Sequence, residues 1–214
     1  KLISLLSGFT KENDYISADL RQASSPSKVA KEVVSRHKTI DIIIHNVGGA
    51  LGIKNPFSPV KDWMEVWNFN LGIAIEINNV IAPLMKKNKR GRIIHVSSIS
   101  AELGEPKEEP FGGALPYATA KASLNAYVKG LARELAEKNV IVTALMPGAV
   151  LSEGKYWDKL QKKDPALVKD FLKQYYPVNR LGKPEEIASF ALFLASEQAS
   201  FASGSIVSIS GGRI

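Results

Sequence analysis

The sequence predicts an α/β fold, a doubly wound and mostly parallel sheet with helices on both faces. Three observations carry the prediction. Short runs rich in Ile and Val alternate with longer segments of helical period, the pattern of strand, crossover helix and parallel strand. Ile42, Ile43 and Ile44 stand in succession and cannot alternate between core and water, so their strand is expected to be covered on both faces. Small residues gather after the strand candidates, in "NVGG" from Asn46, "SSIS" from Ser97, "PGAVLSEG" from Pro147 and a late "GG". These turns mark the sheet edge where ligands of such folds bind.

Taken in order, "DYISAD" from Asp14 is a short strand candidate. "SPSKVAKEVVSRHK" follows as a helix, with Ser25 as its cap and Pro26 in its first turn. "DIIIHNVGG" from Asp41 is the next strand. "VKDWMEVWNFNLGIAIEINNVIAPLMKKN" reads as one long helix whose closing lysines suit the negative end of its dipole. It leads to the strand "GRIIHVSSIS". "AELGEPKEEPFGGALP", rich in Pro, Gly and Glu, is expected to hold no regular element. A helix beginning near "YATAK" then feeds the strand "NVIVTALMPG". The polar and aromatic stretch "KYWDKLQKKDPALVKDFLKQYYP" reads as one or two exposed helices inserted between core elements. The chain closes on the helix "PEEIASFALFLAS", where Pro184, Glu185 and Glu186 suit a helix N-terminus, and the strand "SIVSISGG". No linker or internal repeat divides residues 1–214, which read as a single domain.

At 214 residues, with 45% apolar and 23% charged side chains, the chain has the make-up of an ordinary globular domain. No apolar run nears the roughly 20 residues that span a bilayer, and nothing at the start reads as a signal peptide. A cytoplasmic location with no membrane partner is the expectation. The net charge of +7 is spread over helices and interleaved with Glu and Asp, which argues against nucleic acid. It fits a solvated surface, the alternative being a field that attracts an anionic small molecule such as a phosphate-bearing cofactor or an acyl carrier substrate. The absence of cysteine excludes disulfides, thiolate nucleophiles and cysteine-ligated metals. The chain opens on Lys1, and "KLISLLSG" reads as the end of a helix already under way, so residues before Lys1 are expected.

The stretch with most chemistry is "YATAK". An offset of four places Tyr117 and Lys121 one turn apart on a helix, so the ammonium can approach the phenol. A nearby cation favours phenolate and makes Tyr117 a candidate general acid or base. A half-buried tyrosine beside a surface lysine is the plain alternative. The helix follows an Ile-rich strand that ends in two serines, and in this setting "YATAK" resembles the Tyr-x-x-x-Lys signature of the short-chain dehydrogenase/reductase family. The resemblance extends from about Asp14 to Gly212. It rests on "HNVGG", Asn70 in "WNFNLG", Ser98 in "HVSSIS", "YATAK", "MPGAV" and "RLGKPEEIA", which occur in the family's order.

The resemblance implies a Rossmann-type sheet and an oxidoreductase that moves hydride between NAD or NADP and a secondary alcohol or ketone. Tyr117 would exchange a proton with the substrate oxygen, and Lys121 would hold the nicotinamide ribose and depress the tyrosine pKa. Ser98 would steady the substrate carbonyl, and Asn70 would bind a water that links Lys121 to solvent. Ser97 competes with Ser98, but strand alternation sends the two to opposite faces, and the family pattern favours Ser98. On the cofactor side the resemblance implies Asp19 and Leu20 beside the adenine and Asn46 and Gly48 by the adenosine ribose. Pro147, Gly148 and Val150 would lie beside the nicotinamide, with Ser152 where the family usually has threonine.

Some features depart from the family pattern. Its first strand and its loop Thr-Gly-x-x-x-Gly-x-Gly are not found, so a first strand and helix are expected before residue 1, and the choice of NAD or NADP cannot be read. His45 and His95 replace two family asparagines. Without a carboxylate or third ligand they are expected to be ordinary strand histidines, with no metal bound. The loop of residues 102–116 is longer than usual through "EPKEEPFGG" and would shape specificity, dock a subunit or simply be solvated. Residues 151–178, with Tyr156, Trp157, Phe171, Tyr175 and Tyr176, would form a substrate lid, although packing alone explains aromatics there. A truncated, non-catalytic relative acting as an interaction subunit is the competing function. The resemblance also implies a homodimer or homotetramer built on the helices Asp62 to Lys87 and Ala118 to Lys138.

Overall fold

The computed structural model describes residues 14–104 and 114–213. Its elements are α1 (Ser25–Arg36), β1 (Ile42–His45), α2 (Val60–Trp67), a π-helical turn (Asn68–Gly72), α3 (Ile73–Asn88) and β2 (Gly91–Val96). There follow α4 (Ser100–Leu103), α5 (Leu115–Leu135), β3 (Val140–Pro147), α6 (Tyr156–Lys163), α7 (Pro165–Tyr175), α8 (Pro184–Ala195) and β4 (Ile206–Ile209). Among the described residues four strands form one sheet in the order β1-β2-β3-β4, and every pairing is parallel. Register sets His45 beside His95, Val96 beside Leu145, and Pro147 beside Ile209. All four carboxyl ends therefore share one edge.

Successive strand residues feed opposite layers. Ile93, Val142 and Ala144 pack with Ala30 of α1, Met85 of α3 and Val128 of α5. Ile94 and Leu145 pack on the other face with Leu194 of α8. Each fully buried aliphatic side chain contributes about 1.5–3 kcal/mol, and a sheet clad on both faces is the doubly wound arrangement read from the sequence. Among the described residues no helix is long and apolar enough to cross a membrane.

Helix ends follow the capping chemistry. Pro184 occupies the first turn of α8, and Glu186 accepts a hydrogen bond from Lys183 N at 2.7 Å. The Asp164 carboxylate accepts from Leu167 N at 2.9 Å to cap α7. At α1, however, Ser25 is the first helical residue rather than the cap, and Ser24 precedes it in a left-handed conformation.

Other expectations need correction. Residues 14–19 form no strand, because no described strand lies beside them to satisfy their backbone groups. Asp14 is held instead by an ion pair with Arg36. β1 is an edge strand, and Ile42 and Ile44 are 48% and 49% exposed, so the expected coverage of both faces is not met. Among the described residues, the face carrying Ile43 packs on the core. The long helix is interrupted by the π-turn, where Asn70 Nδ2 donates to Val66 O at 2.8 Å. Residues 101–116 do hold a regular element, since α4 forms directly after β2 and ends on Gly104 at φ 68°. The stretches "EPKEEPFGG" and "KLISLLSG" lie outside the described residues.

Candidate active site

The end of β2 separates the two candidate serines. Ser97 is buried, and its hydroxyl points to Lys121 O at 3.5 Å. Ser98 lies on the wall of a cavity of about 560 Å³, which Tyr117 also lines. Its hydroxyl donates to Ser100 Oγ at 3.1 Å and accepts from Ser100 N at 3.2 Å. These two contacts fix Ser98 at the start of α4, and the sequence reading did not anticipate Ser100 as its neighbour.

Tyr117 sits in the first turn of α5, behind Pro116, where the fixed φ of proline suits helix entry. Lys121 Nζ lies 5.7 Å from the centre of the Tyr117 ring and donates to Val96 O at 2.7 Å. The lysine is 3% exposed, and burial brings its ammonium down from the ordinary value of 10.5 to about 8. The one-turn spacing thus places a desolvated cation beside the phenol.

Behind the lysine the backbone closes tightly. Asn70 Nδ2 donates to Gly49 O at 2.8 Å and its Oδ1 accepts from Gly49 N at 3.0 Å, so the π-turn grips the loop after β1. A π-turn of this kind often marks a functional site. A Cβ on Gly48 would lie 2.5 Å from Asn70 Oδ1 and 3.1 Å from Lys121 Nζ. Gly48, Asn70 and Lys121 therefore converge on one point.

The remaining cofactor-side candidates are spread over several contacts. Leu20 and Asn46 line a small cavity of about 180 Å³ together with Asn70. Asp19 is exposed and paired with Arg21 at 3.1 Å, which holds its carboxyl below the ordinary range, and it ends no strand. Pro147 closes β3. Gly148 lies on the large cavity, and a Cβ there would sit 3.0 Å from Ser210 Cα and 3.1 Å from a Tyr176 ring carbon. Val150 bridges to Gly182, and Ser152 O accepts from Lys155 N at 3.0 Å in the turn before α6. The last two stand outside the large cavity.

The aromatic segment has two faces. Trp157 stacks on Phe171 at 5.3 Å, and Phe171 packs against Tyr176 at 5.7 Å, so these rings have their own buried cluster. Tyr156, Trp157, Phe171 and Tyr176 also form wall of the large cavity. Lys54 and Arg213 line it too, and neither was singled out in the sequence. The signal for Arg213 was its place directly after the strand-end glycines.

His45 and His95 stack with ring centres 4.6 Å apart. His45 Nε2 meets Asn78 Oδ1 at 2.8 Å, and Asn78 Nδ2 donates to Tyr127 Oη at 3.1 Å. Burial pushes His45 down to about 4, and burial, with the neighbouring His45 ring and the Lys121 ammonium opposing a further charge, pushes His95 well below its ordinary value, so the stack is neutral. Among the described residues no group of three or more metal-ligating side chains converges here or elsewhere.

The geometry can be set beside known proteins. The model of the family described as Enoyl-(Acyl carrier protein) reductase matches residues 4–213. The chain is 32% identical to the 7alpha-hydroxysteroid dehydrogenase of Escherichia coli (strain K12) over 197 residues, covering 92% of this chain and 72% of that protein. A solved 7 alpha-hydroxysteroid dehydrogenase complexed with NADH and 7-oxo glycochenodeoxycholic acid superposes with a TM-score of 0.78 at 32% identity, covering 92% of this chain and 72% of that one. The 3-oxoacyl (acyl-carrier-protein) reductase from Agrobacterium tumefaciens C58 with NADP bound gives a TM-score of 0.82 at 25% identity, covering 92% and 73%. With its parallel sheet, its shared strand-end edge and a family match over nearly its whole length, the chain belongs to the short-chain dehydrogenase/reductase family.

Proposed function

We infer that this chain is an oxidoreductase that transfers hydride between NAD or NADP and a secondary alcohol or the matching ketone, with Tyr117 as the proton donor and acceptor. One observation carries the assignment of roles: Ser98 and Tyr117 share the wall of the 560 Å³ cavity while Lys121 stands one turn behind the tyrosine. The residues present fit a nicotinamide cofactor, because glycine at 48 and 148 keeps the strand-end loops free of side chains where a Cβ would collide with Asn70 and with Ser210 and Tyr176, and Gly148 opens onto the cavity of Ser98 and Tyr117. When bound, that cofactor supplies or accepts the hydride.

In the reducing direction Ser98 Oγ turns its single proton from Ser100 Oγ to the substrate carbonyl oxygen and orients it, while the hydrogen bond it accepts from Ser100 N keeps it in place. Tyr117 gives its proton to the same oxygen as negative charge develops there. The Lys121 cation stabilises the phenolate that remains, and its hydrogen bond to Val96 O sets its position. Asn70 locks the loop of Gly48 and Gly49 against that lysine and holds a water for proton return. In the oxidising direction the phenolate takes the alcohol proton. Asp19, Leu20, Asn46, Pro147, Val150 and Ser152 complete the cofactor edge. Residues 151–178 act as the substrate lid, with the aromatic wall as its inner side, and assembly is a homodimer or homotetramer through the two long helices. Nothing observed favours the non-catalytic alternative.

The test is consumption of NADH or NADPH by the full chain with a panel of ketones, compared with Ser98→Ala and Tyr117→Phe. Ketone-dependent turnover that falls about 100-fold or more in each variant, with cofactor binding intact, supports the roles. Undiminished turnover in Tyr117→Phe rejects them.

A further inference from the structure

A cluster of side chains meets beneath the strand-end edge without a part in the reaction. His95 of β2 is 0% exposed and stacks on His45 of β1, with ring centres 4.6 Å apart and planes 17° apart. Tyr127 of α5 meets the His95 ring edge to face, with centres 5.9 Å apart. Asn78 of α3 ties the outer members together, since its Oδ1 meets His45 Nε2 at 2.8 Å and its Nδ2 donates to Tyr127 Oη at 3.1 Å. Neither ring nitrogen of His95 has a hydrogen-bond partner. Native folds rarely leave a buried polar group unpaired. His95 therefore serves here as a flat body rather than as a donor or acceptor.

That body stands against Lys121. Strand alternation puts His95 and Ser97 on one face of β2, the face turned to α5. Ser97 Oγ points to Lys121 O at 3.5 Å, and His95 meets Tyr127 further along the same helix. Between the two, Val96 O accepts from Lys121 Nζ at 2.7 Å. The titratable groups that face Lys121 are Tyr117 from its own helix and His95 from β2, with His45 of β1 and Tyr127 of α5 behind His95. The π-turn adds the neutral Asn70, and among the described residues no carboxylate pairs with the lysine. Burial, not a charged partner, is what lowers its proton affinity.

We propose that His95, held flat by His45, is a positioning residue that keeps water from the inner side of the Lys121 ammonium. Cutting the ring away leaves a space bordered by Asn78, Tyr127 and Lys121, and a hollow with polar walls takes up water where an apolar one stays dry. Water on that side restores part of the hydration that Lys121 loses on burial, and its titration moves back towards 10.5. The consequence for the reaction rests on the reductase reading above: the cation beside Tyr117 then persists to higher pH, and the alkaline limb of turnover moves up with it. A stack that only fastens β1 to β2 affects unfolding and moves neither titration.

The experiment uses the full chain isotopically labelled at lysine Cε, with Lys121→Arg identifying the Lys121 signal. NMR follows that signal against pH in the native chain, His95→Ala and His95→Phe, and hydride transfer from NADH and NADPH to a ketone is measured over the same range. The native midpoint is expected near 8. His95→Ala should raise it by about one unit or more, and His95→Phe, which keeps a flat ring on His45, should leave it in place. His45→Ala withdraws the support of the ring from the edge strand and should give a smaller rise, so it carries the test if His95→Ala does not fold. An unmoved Lys121 midpoint in the alanine variants overturns the proposal, and with a lowered Tm it assigns the stack to structure alone. An equal rise in His95→Phe overturns it as well, because the ring is then not what excludes water. A raised midpoint with an unmoved alkaline limb of turnover upholds the hold of His95 on Lys121 and removes instead the coupling of Lys121 to Tyr117 from the reductase reading.

Discussion

Lys121 offers a test in which stability and catalysis move in different directions. Its ammonium is 3% exposed, and burial lowers it from 10.5 to about 8. At about 1.4 kcal/mol per pH unit, holding this group charged in the folded protein costs about 3 kcal/mol at pH 7. The folded protein binds fewer protons than the unfolded chain between about pH 8 and 10.5, so this group's contribution makes stability rise with pH across that window. Lys121→Met removes the cost but leaves Val96 O without its donor, a loss of about 1–3 kcal/mol. At pH 7 the variant should match or exceed the native protein by up to about 2 kcal/mol. Near pH 10.5 the order reverses, because the neutral amine still donates to Val96 O. Urea unfolding of both proteins at the two pH values measures the change, while turnover falls at least about 100-fold through loss of the cation beside Tyr117. A variant that is several kcal/mol less stable at pH 7, by a margin that does not change with pH, would refute the reasoning.

Further outcomes follow from the same contacts. Gly48→Ala drives a Cβ into Asn70 Oδ1 and towards Lys121 Nζ; it should cost about 1–3 kcal/mol in denaturant unfolding and weaken cofactor binding measured by calorimetry. Tyr176→Phe leaves the Ala149 N–H without its acceptor, a loss of about 1–3 kcal/mol visible in unfolding, and it loosens the Arg213 contact on the cavity wall. The His45–His95 stack makes stability fall on acidification. Both imidazoles are held neutral below their ordinary value of 6.5, so the contribution is complete above about pH 6.5 and is lost as pH drops towards 4. Replacing both residues by phenylalanine should flatten the urea midpoint between those pH values.

What could be read from the sequence depended on how local its cause is. Ile93 and Ile94 feed opposite layers because a strand alternates, and that rule also separates Ser97 from Ser98. Tyr117 and Lys121 lie one turn apart on any helix, so their meeting needed no knowledge of the rest of the chain. The neighbouring positions of His45 and His95 followed from strand order, but Asn78 and Tyr127 reach them from two different helices and left no local sign. Ile42 and Ile44 misled because their coverage depends on what packs against β1, not on β1 itself. Residues 14–19 have strand-like composition but no pairing partner among the described residues. The π-turn holds Asn70 against Gly49, a contact across 21 positions, and Arg213 reaches the aromatic wall across 37 positions from Tyr176.

The most direct test of the account is single-turnover transfer of deuterium from deuterated NADH or NADPH to a reactive ketone, in the native chain and in Tyr117→Phe. The account predicts deuterium on the carbinol carbon in the native chain. The variant should bind the cofactor equally but transfer at least about 100-fold more slowly, because the proton donor is gone while the strand-end loops of Gly48 and Gly148 are untouched. Equal transfer rates in the two proteins would contradict the role given to Tyr117.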